Sequence, residues 1–152
     1  MFNILRPIIF KFSPEVAHSL AIKALKLNNI SYSKPKENHI LETTFCEKKL
    51  SSPIGVAAGF DKNAEVYNPL FNLGFGFVEV GTITPKPQFG NPKPRVFRLE
   101  EDEALINRLG FNNSGSERIS QTIKENNKKG FLGINIGPVS YTHLTLPTRR
   151  FV

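Results

Sequence analysis

The sequence predicts an α/β fold in which a mainly parallel sheet is covered by helices. Three short apolar segments, 54–60, 76–83 and 130–137, have the near-continuous hydrophobicity of buried strands. Helix-like segments at 64–73 and 116–129 separate them, so strands and helices alternate along the chain. The composition is typical of one soluble globular domain, since 39% of the 152 residues are hydrophobic and 22% are charged.

The composition also excludes several classes of protein. The hydrophobic content argues against disorder, collagen and coiled coil, and no apolar run approaches the roughly 20 residues that a membrane-spanning helix needs. Cys46 is the single cysteine and the three histidines are scattered, so we expect neither an intrachain disulfide nor a structural metal site. The net charge is +7. No nucleic-acid-binding signature accompanies it, and we expect no nucleic-acid partner.

The first long helix is predicted to begin at Ser13-Pro14-Glu15, because serine caps free amides, proline suits the first helical position and glutamate suits the positive end of the helix dipole. One side of this helix is predicted to be polar and the other apolar. The polar side consists of Glu15, Ser19, Lys23 and Lys26, and the apolar side of Ala17, Leu20, Ala21, Ala24, Leu25 and Leu27.

Basic residues are concentrated in this front segment, since residues 1–37 carry six Lys or Arg against two Glu. A basic amphipathic helix is either a surface helix packed on its own domain or an interfacial contact with an anionic membrane. The apolar residues 2–12 that precede it favour the second interpretation. The polar stretch 31–39, which contains Pro35, is predicted to be a linker.

After the linker, the first apolar strand, the helix 64–73 and the strand 76–83 form a predicted βαβ unit. A proline-rich loop at 85–94 leads to Val96–Leu99, a further short strand. The helix 116–129 then precedes the last apolar strand, 130–137. In folds of this kind the chemistry collects at the carboxyl ends of the strands, so the residues there are the candidate site.

Small and polar residues occupy those strand ends. The first strand ends in Ala57–Lys62 (AAGFDK), where small residues would let a flat or phosphorylated ligand approach the backbone and Lys62 offers a positive charge. Tight strand–helix packing is the alternative reading of these small residues. The next strand ends near Thr82 and the last near Asn135, while Glu79 within the second strand is predicted to be structural.

The densest polar stretch of the chain is Asn107–Gly115 (NRLGFNNSG). Asparagine amides both donate and accept hydrogen bonds, so they suit a planar ring of alternating N–H and C=O groups. A plain loop stabilised by Asx turns is the alternative.

Four segments together resemble the N-terminal half of a class 2, quinone-linked dihydroorotate dehydrogenase. They are PIGVAAGFDKN (53–63), GFGFVEVGTITPKPQFGNPKPRVFRL (74–99), LINRLGFNNSG (105–115) and LGINIG (132–137). The resemblance implies a partial (β/α)8 TIM barrel, with FMN as cofactor, that oxidises dihydroorotate to orotate in pyrimidine (UMP) biosynthesis and passes electrons to a membrane quinone. Residues 38–137 would form this half-barrel. Residues 1–37 would form a small helical, quinone-facing extension on the cytoplasmic face of the bacterial cell membrane.

The resemblance also implies site residues. The expected FMN contacts are Ala58, Gly59, Phe60, Asp61, Lys62, Thr82 and Asn135. The expected substrate contacts are Lys62, Asn107, Arg108, Leu109, Gly110 and Phe111, continued by Asn112. A cation such as Lys62 beside the flavin would stabilise the negative charge that arrives with the hydride. The family's serine base is expected beyond Gly137, so no catalytic residue is assigned in this chain.

The tail 138–152 (PVSYTHLTLPTRRFV) departs from the family pattern. We interpret it as non-native, similar to translated sequencing-adapter sequence on a truncated gene, with a genuine short variant as the alternative. Ser140, Tyr141 and His143 therefore receive no catalytic role. The fragment is expected to be inactive alone. A soluble class 1 enzyme and a non-catalytic membrane-surface module are the alternative functions.

Overall fold

The computed structural model describes residues 2–27, 39–126 and 130–137. Two helices come first, α1 (Phe2–Phe10) and α2 (Pro14–Leu27). Helix α2 begins where the sequence predicts, and the Ala17 amide donates to the Ser13 carbonyl at 3.0 Å. Most of the predicted linker and the whole tail 138–152 lie outside the described residues.

The predicted division of α2 into polar and apolar sides is correct only in part, since Ser19, Lys23 and Lys26 are exposed as predicted but several other positions differ. Ile22 and Leu25 pack against the hydrophobic core, whereas Leu20 is 46% exposed and Leu27 is 85% exposed. Glu15, predicted to lie on the polar side, faces the body of the protein and pairs with Arg95 at 2.9 Å. A buried arginine thus lets a carboxylate occupy the packed face of α2.

A 3₁₀ turn at His39–Leu41 precedes an antiparallel hairpin of strands β1 (Thr43–Phe45) and β2 (Lys48–Leu50). The chain then enters a three-stranded parallel sheet, in which β4 (Phe77–Ile83) lies between β3 (Gly55–Val56) and β7 (Phe131–Ile136). The elements that build this sheet and its connections are β3 (Gly55–Val56), α3 (Tyr67–Asn72), β4 (Phe77–Ile83), β5 (Val96–Leu99), β6 (Ala104–Asn107), α4 (Ser116–Glu125) and β7 (Phe131–Ile136). Parallel strands joined through helices confirm the predicted α/β fold.

Two predicted elements are shorter than expected. The strand predicted over 54–60 is limited to Gly55–Val56. The helix predicted over 64–73 begins only at Tyr67, because the Asp61 carboxylate accepts the amides of Glu65 and Val66 at 2.8 Å each and Ala64 adopts a φ of 57°. These bonds hold the chain in a loop where local propensity favours a helix. Helix α4 ends at Glu125, and residues 127–129 are outside the described residues.

Val96–Leu99 forms a strand as predicted, but it does not join the parallel sheet. It pairs antiparallel with β6, in a register that sets Val96 opposite Asn107 and Leu99 opposite Ala104. Strand β6 is not among the predicted elements, because its four residues are exposed and follow an acidic turn that carries no strand signal. The described parallel sheet therefore has three strands.

The core lies around the central strand β4, where Val78 and Val80 are fully buried. Tyr67 and Leu70 of α3 and Ile119 of α4 pack against this strand and cover one face of the sheet. On β7, Ile134 and Ile136 remain 49% and 79% exposed. None of the helices in the described part of the chain has the length and apolar character needed to cross a bilayer.

Candidate functional site

Main-chain hydrogen bonds hold the loop after β3 against the end of β4. The Gly59 amide donates to the Gly81 carbonyl at 2.8 Å, and the Gly81 amide donates to the Asp61 carbonyl at 3.1 Å. Gly59 has a φ of +110°, and a Cβ built there would meet no atom within 4 Å. A bare backbone therefore faces open space at this edge of the sheet, where a flat ligand could approach it closely.

Polar side chains tie the same edge together. The Thr82 hydroxyl donates to Asn135 Oδ1 at 2.7 Å, and Asn135 Nδ2 donates to Glu79 Oε1 at 3.2 Å. The other oxygen of Glu79 accepts the Ala58 amide at 3.4 Å. Glu79 of β4 thus bonds to residues at the ends of both neighbouring strands.

Lys62 lies beside this network. Its Nζ donates to the Gly59 carbonyl at 2.6 Å. Burial lowers the pKa of Lys62 from its ordinary value, an effect that the nearby carboxylate of Glu15 opposes. The lysine is therefore a partly desolvated cation whose charge interacts strongly with anything that enters the site.

The segment 107–111, which is predicted to contact the substrate, forms the opposite wall, and we call it the substrate loop after that prediction. Asn91 holds it by two bonds, since its Nδ2 donates to the Arg108 carbonyl at 2.7 Å and its amide donates to the Leu109 carbonyl at 3.0 Å. Gly110 and Phe111 both have positive φ values, 74° and 53°. The loop is thus a sharply turned segment fixed by bonds to its backbone.

A cavity of about 370 Å³ lies between these two walls, and we call it the inner cavity. Its lining residues are Ala58, Gly59, Lys62, Gly81, Thr82, Asn91 and the run 107–112. Residues predicted to bind cofactor and residues predicted to bind substrate therefore meet around one space. Asn135 does not line this cavity but is bonded to Thr82, which does.

Phe60 and Asp61, two of the predicted cofactor contacts, are not on the inner cavity's lining. The Phe60 ring packs edge-on against His18, and its carbonyl accepts a bond from His18 Nε2 at 2.7 Å. Asp61 is 1% exposed, and burial raises its pKa even though two backbone amides donate to it. Asp61 shapes the loop before α3, and the side chains of both residues are engaged within the protein.

A second, larger cavity of about 810 Å³ lies between α2 and the body of the protein, and we call it the outer cavity. Among the residues that line it are Glu15, His18, Ile22, Phe60, Arg95 and Arg98. Lys62 and Gly59 line both cavities, so the two spaces adjoin at the lysine. Burial lowers the pKa of His18, which favours the neutral ring inside this cavity.

The sequence analysis did not assign His18, Arg95 or Arg98 to a site. A signal for the first was present, because Glu15, His18 and Ile22 are spaced three and four residues apart and so share one helix face. No local signal marks the arginines, because the partners that each contacts in the N-terminal helical segment lie far away in sequence. Arg95 reaches Glu15 across 80 residues, and Arg98 donates to the Phe12 carbonyl at 2.8 Å.

The residues present fit a planar ligand with hydrogen-bonding edges. Asn112 Oδ1 is buried, and no described group bonds to it. Asn112 lines both cavities, so a ligand N–H could supply the missing donor. The open backbone at Gly59 and the cation of Lys62 complete a site suited to a flat ring system that carries negative charge.

The fold and the cavities together define an α/β protein with a candidate ligand site at the carboxyl edge of its parallel sheet. Residues 40–142, more than half of the chain, match the dihydroorotate dehydrogenase family, and the chain belongs to that family. Among curated relatives, a dihydroorotate dehydrogenase (quinone) from Rhodospirillum rubrum is 50% identical over 131 residues, which cover 86% of this chain and 36% of the relative. One from Bartonella henselae is 52% identical over 132 residues, covering 87% and 36%.

A solved structure agrees with these relatives. The crystal structure of DHODH from Eimeria tenella in complex with ferulenol matches with a TM-score of 0.78 at 40% identity, over 86% of this chain and 37% of that one. The predicted resemblance to the quinone-linked class is thereby confirmed. The chain spans about a third of the length of the proteins it matches.

Proposed function

We propose that this chain forms the N-terminal part of a quinone-linked dihydroorotate dehydrogenase, which oxidises dihydroorotate to orotate in pyrimidine biosynthesis and passes the electrons to a membrane quinone. The observation that carries this proposal is the inner cavity, where Ala58, Gly59 and Thr82 face the substrate loop with Lys62 beside them. The names of the curated relatives support the same activity.

FMN is the proposed cofactor, and when bound it would supply the hydride acceptor. Ala58 and Gly59 would lie against its ring, since the backbone there is open. Thr82 would contact it with a hydroxyl whose orientation is set by Asn135. Lys62 would supply positive charge where negative charge develops, which is the largest contribution that a fixed side chain can make to such a reaction.

The substrate loop would hold dihydroorotate. Asn107 and the backbone turn at Gly110 border the inner cavity, and Asn112 Oδ1 offers a buried acceptor for a ring N–H. Lys62 would attract the substrate's carboxylate. The proton acceptor is proposed to lie outside this chain, in the part of the enzyme that follows Gly137.

The three parallel strands would belong to a (β/α)8 barrel of which this chain builds the first part. The exposed side chains of Ile134 and Ile136 on β7 support this proposal, because further barrel elements would cover them. The relatives' greater length provides room for those elements.

Helices α1 and α2 are proposed to rest on the cytoplasmic face of the cell membrane. Leu5, Ile8, Phe12, Val16 and Leu20 are each between 45% and 56% exposed. Such an apolar surface on basic helices fits an anionic lipid interface. The outer cavity lies behind α2 and reaches Lys62, so it offers a path for a quinone from the membrane to the cofactor.

The test uses the full-length enzyme that contains this sequence. We expect it to purify with bound flavin, to lose its yellow colour when dihydroorotate is added without oxygen, and to regain it with a quinone analogue. Recovery with a water-soluble acceptor but not with the quinone would support a soluble class 1 enzyme instead. A colourless protein that does not oxidise dihydroorotate would overturn the proposal.

A further inference from the structure

Arg95 joins two parts of the protein that are distant in sequence. Its Nε and Nη2 donate to Glu15 Oε1 of α2 at 3.0 and 2.9 Å. Its Nη1 donates to the carbonyls of Phe89 and Asn91 at 2.6 and 3.1 Å. The Arg95 side chain is 7% exposed, so these bonds are shielded from water and stronger than a surface ion pair would be.

The segment that Arg95 grips is the one that holds the substrate loop. Asn91 makes two bonds to the loop backbone, at Arg108 and Leu109. The Arg108 amide donates to the Arg95 carbonyl at 2.8 Å, and its guanidinium donates to the Pro94 carbonyl at 3.1 Å. We call residues 88–95 the bracket. The substrate loop thus takes its position from the bracket.

The packing inside the bracket is tight. A Cβ built on Gly90 would come within 2.1 Å of the Leu109 carbonyl oxygen and within 2.7 Å of Arg95 Nη1. The arginine and the loop therefore both touch the same glycine, and displacement of one would press on the other. Arg95 lines the outer cavity and Asn91 lines the inner one, so the bracket stands between the two spaces.

A second ion pair also attaches α2 to the body of the protein but does not reach the bracket. Lys26 Nζ lies 2.5 Å from Glu65 Oε1, and the two side chains are 45% and 36% exposed. This pair provides a comparison in which α2 loses an anchor while every bond of Arg95 remains.

We propose that Arg95 is a positioning residue for substrate binding: its guanidinium uses Glu15 of α2 as a fixed support and sets the bracket that holds the substrate loop at 107–111. This inference rests on the proposed function for the identity of the substrate. Loss of the support then loosens the loop and weakens substrate binding, although neither Glu15 nor Arg95 lines the inner cavity.

Four variants of the full-length flavin-loaded enzyme test this: E15A, E15Q, R95Q and K26A. E15A and R95Q should weaken orotate binding and raise the dihydroorotate KM for flavin reduction by about tenfold, the expected effect of losing hydrogen bonds to a charged group. The rate at saturating dihydroorotate should change by a smaller factor than KM, since no residue that lines the inner cavity is replaced. E15Q keeps an acceptor for the guanidinium and should restore most of the affinity, and K26A should behave as wild type.

Hydrogen exchange provides a readout that does not depend on turnover. The amides of Asn91 and Arg108 should exchange faster in E15A and R95Q than in wild type and K26A. Equal exchange and equal orotate affinity in all four variants would overturn the role of Arg95, as would a K26A effect as large as that of E15A. A wild-type enzyme that dihydroorotate does not reduce would instead overturn the proposed function, and the exchange comparison would still decide whether Arg95 sets the loop. If R95Q does not fold, E15A still tests the proposal, because it removes the same ion pair and leaves Arg95 in place.

Discussion

Thr82 on β4 donates its hydroxyl proton to Asn135 Oδ1 on β7 at 2.7 Å, across neighbouring parallel strands. Asn135 in turn donates to Glu79, so the amide has a single orientation and the threonine hydroxyl is directed by it. The edge of the sheet is therefore organised by bonds among its own side chains, as a preorganised site requires.

The first prediction concerns this pair. Thr82→Val keeps the shape of the side chain and removes the hydroxyl, so Asn135 Oδ1 loses its donor. We expect the unfolding free energy to fall by about 1 kcal/mol and FMN affinity to fall by about tenfold. Flavin fluorescence titration of the full-length protein measures the second effect. Thr122→Val is the matched control, because that hydroxyl bonds only within α4, to the Arg118 carbonyl. Equal flavin affinity in both variants would contradict the assignment.

The second prediction concerns Lys62. Lys62→Ala in the full-length enzyme should slow flavin reduction by dihydroorotate by about a hundredfold, because the positive charge stabilises the transition state. Its effect on the unfolding free energy should be small, since burial of the charge already opposes folding. Stopped-flow absorbance gives the rate, and Lys124→Ala on the exposed side of α4 is the control. A normal single-turnover rate would remove Lys62 from the site.

The third prediction concerns pH and His18. Burial lowers the pKa of His18 below its ordinary value of 6.5. Between the folded and unfolded pKa values the unfolded chain binds more protons, so the unfolding free energy falls as the pH drops from 6.5 through the folded pKa. His18→Gln keeps a donor for the Phe60 carbonyl but cannot titrate. In urea unfolding of the full-length protein, the unfolding free energy of the variant should therefore rise relative to that of wild type as the pH is lowered from about 7.5 to about 5. Parallel pH profiles would show that His18 is not desolvated.

The fourth prediction concerns the exposed apolar surface of α1 and α2. The double variant I8Q/L20Q should lower the affinity of the full-length protein for anionic vesicles by at least about tenfold. Each apolar side chain contributes roughly 1 kcal/mol or more to interfacial binding. Flavin content should not change, because both positions face away from the cavities. Leu73→Gln, at a 43% exposed position after α3, should leave vesicle binding unchanged. Co-sedimentation measures the vesicle binding of the wild type, the double variant and Leu73→Gln. Undiminished binding of the double variant would argue against the helical front as the membrane contact.

Much of the fold could be predicted because the signals were local. The strand predicted over 76–83 coincides with β4 except at its first residue, and α2 begins at Pro14 within its predicted start. The least accurate prediction was the start of a helix at Ala64. The Asp61 carboxylate accepts the next two amides and holds the chain there in a loop. Hydrophobic periodicity cannot predict such a bond, because the bond depends on the orientation of the aspartate side chain, which the fold of the loop determines.

The candidate site divides in the same way. Lys62 and Thr82 could be named from the sequence, since parallel strands bring their carboxyl ends to one edge. The run 107–111 could be named from its asparagines and from the family motif that contains it. Their placement around one cavity also required the bracket, whose bonds to the segment 107–111 join positions 13 to 23 residues apart.

By itself, the sequence determined the family, the strand–helix alternation and the polar residues at the strand ends, because each depends on neighbouring residues. Only the tertiary structure decided which face of α2 is buried and that Arg95 connects this helix to the substrate loop. The physical reason is that Glu15 can face inward only where a buried guanidinium neutralises it, and that guanidinium lies 80 residues away.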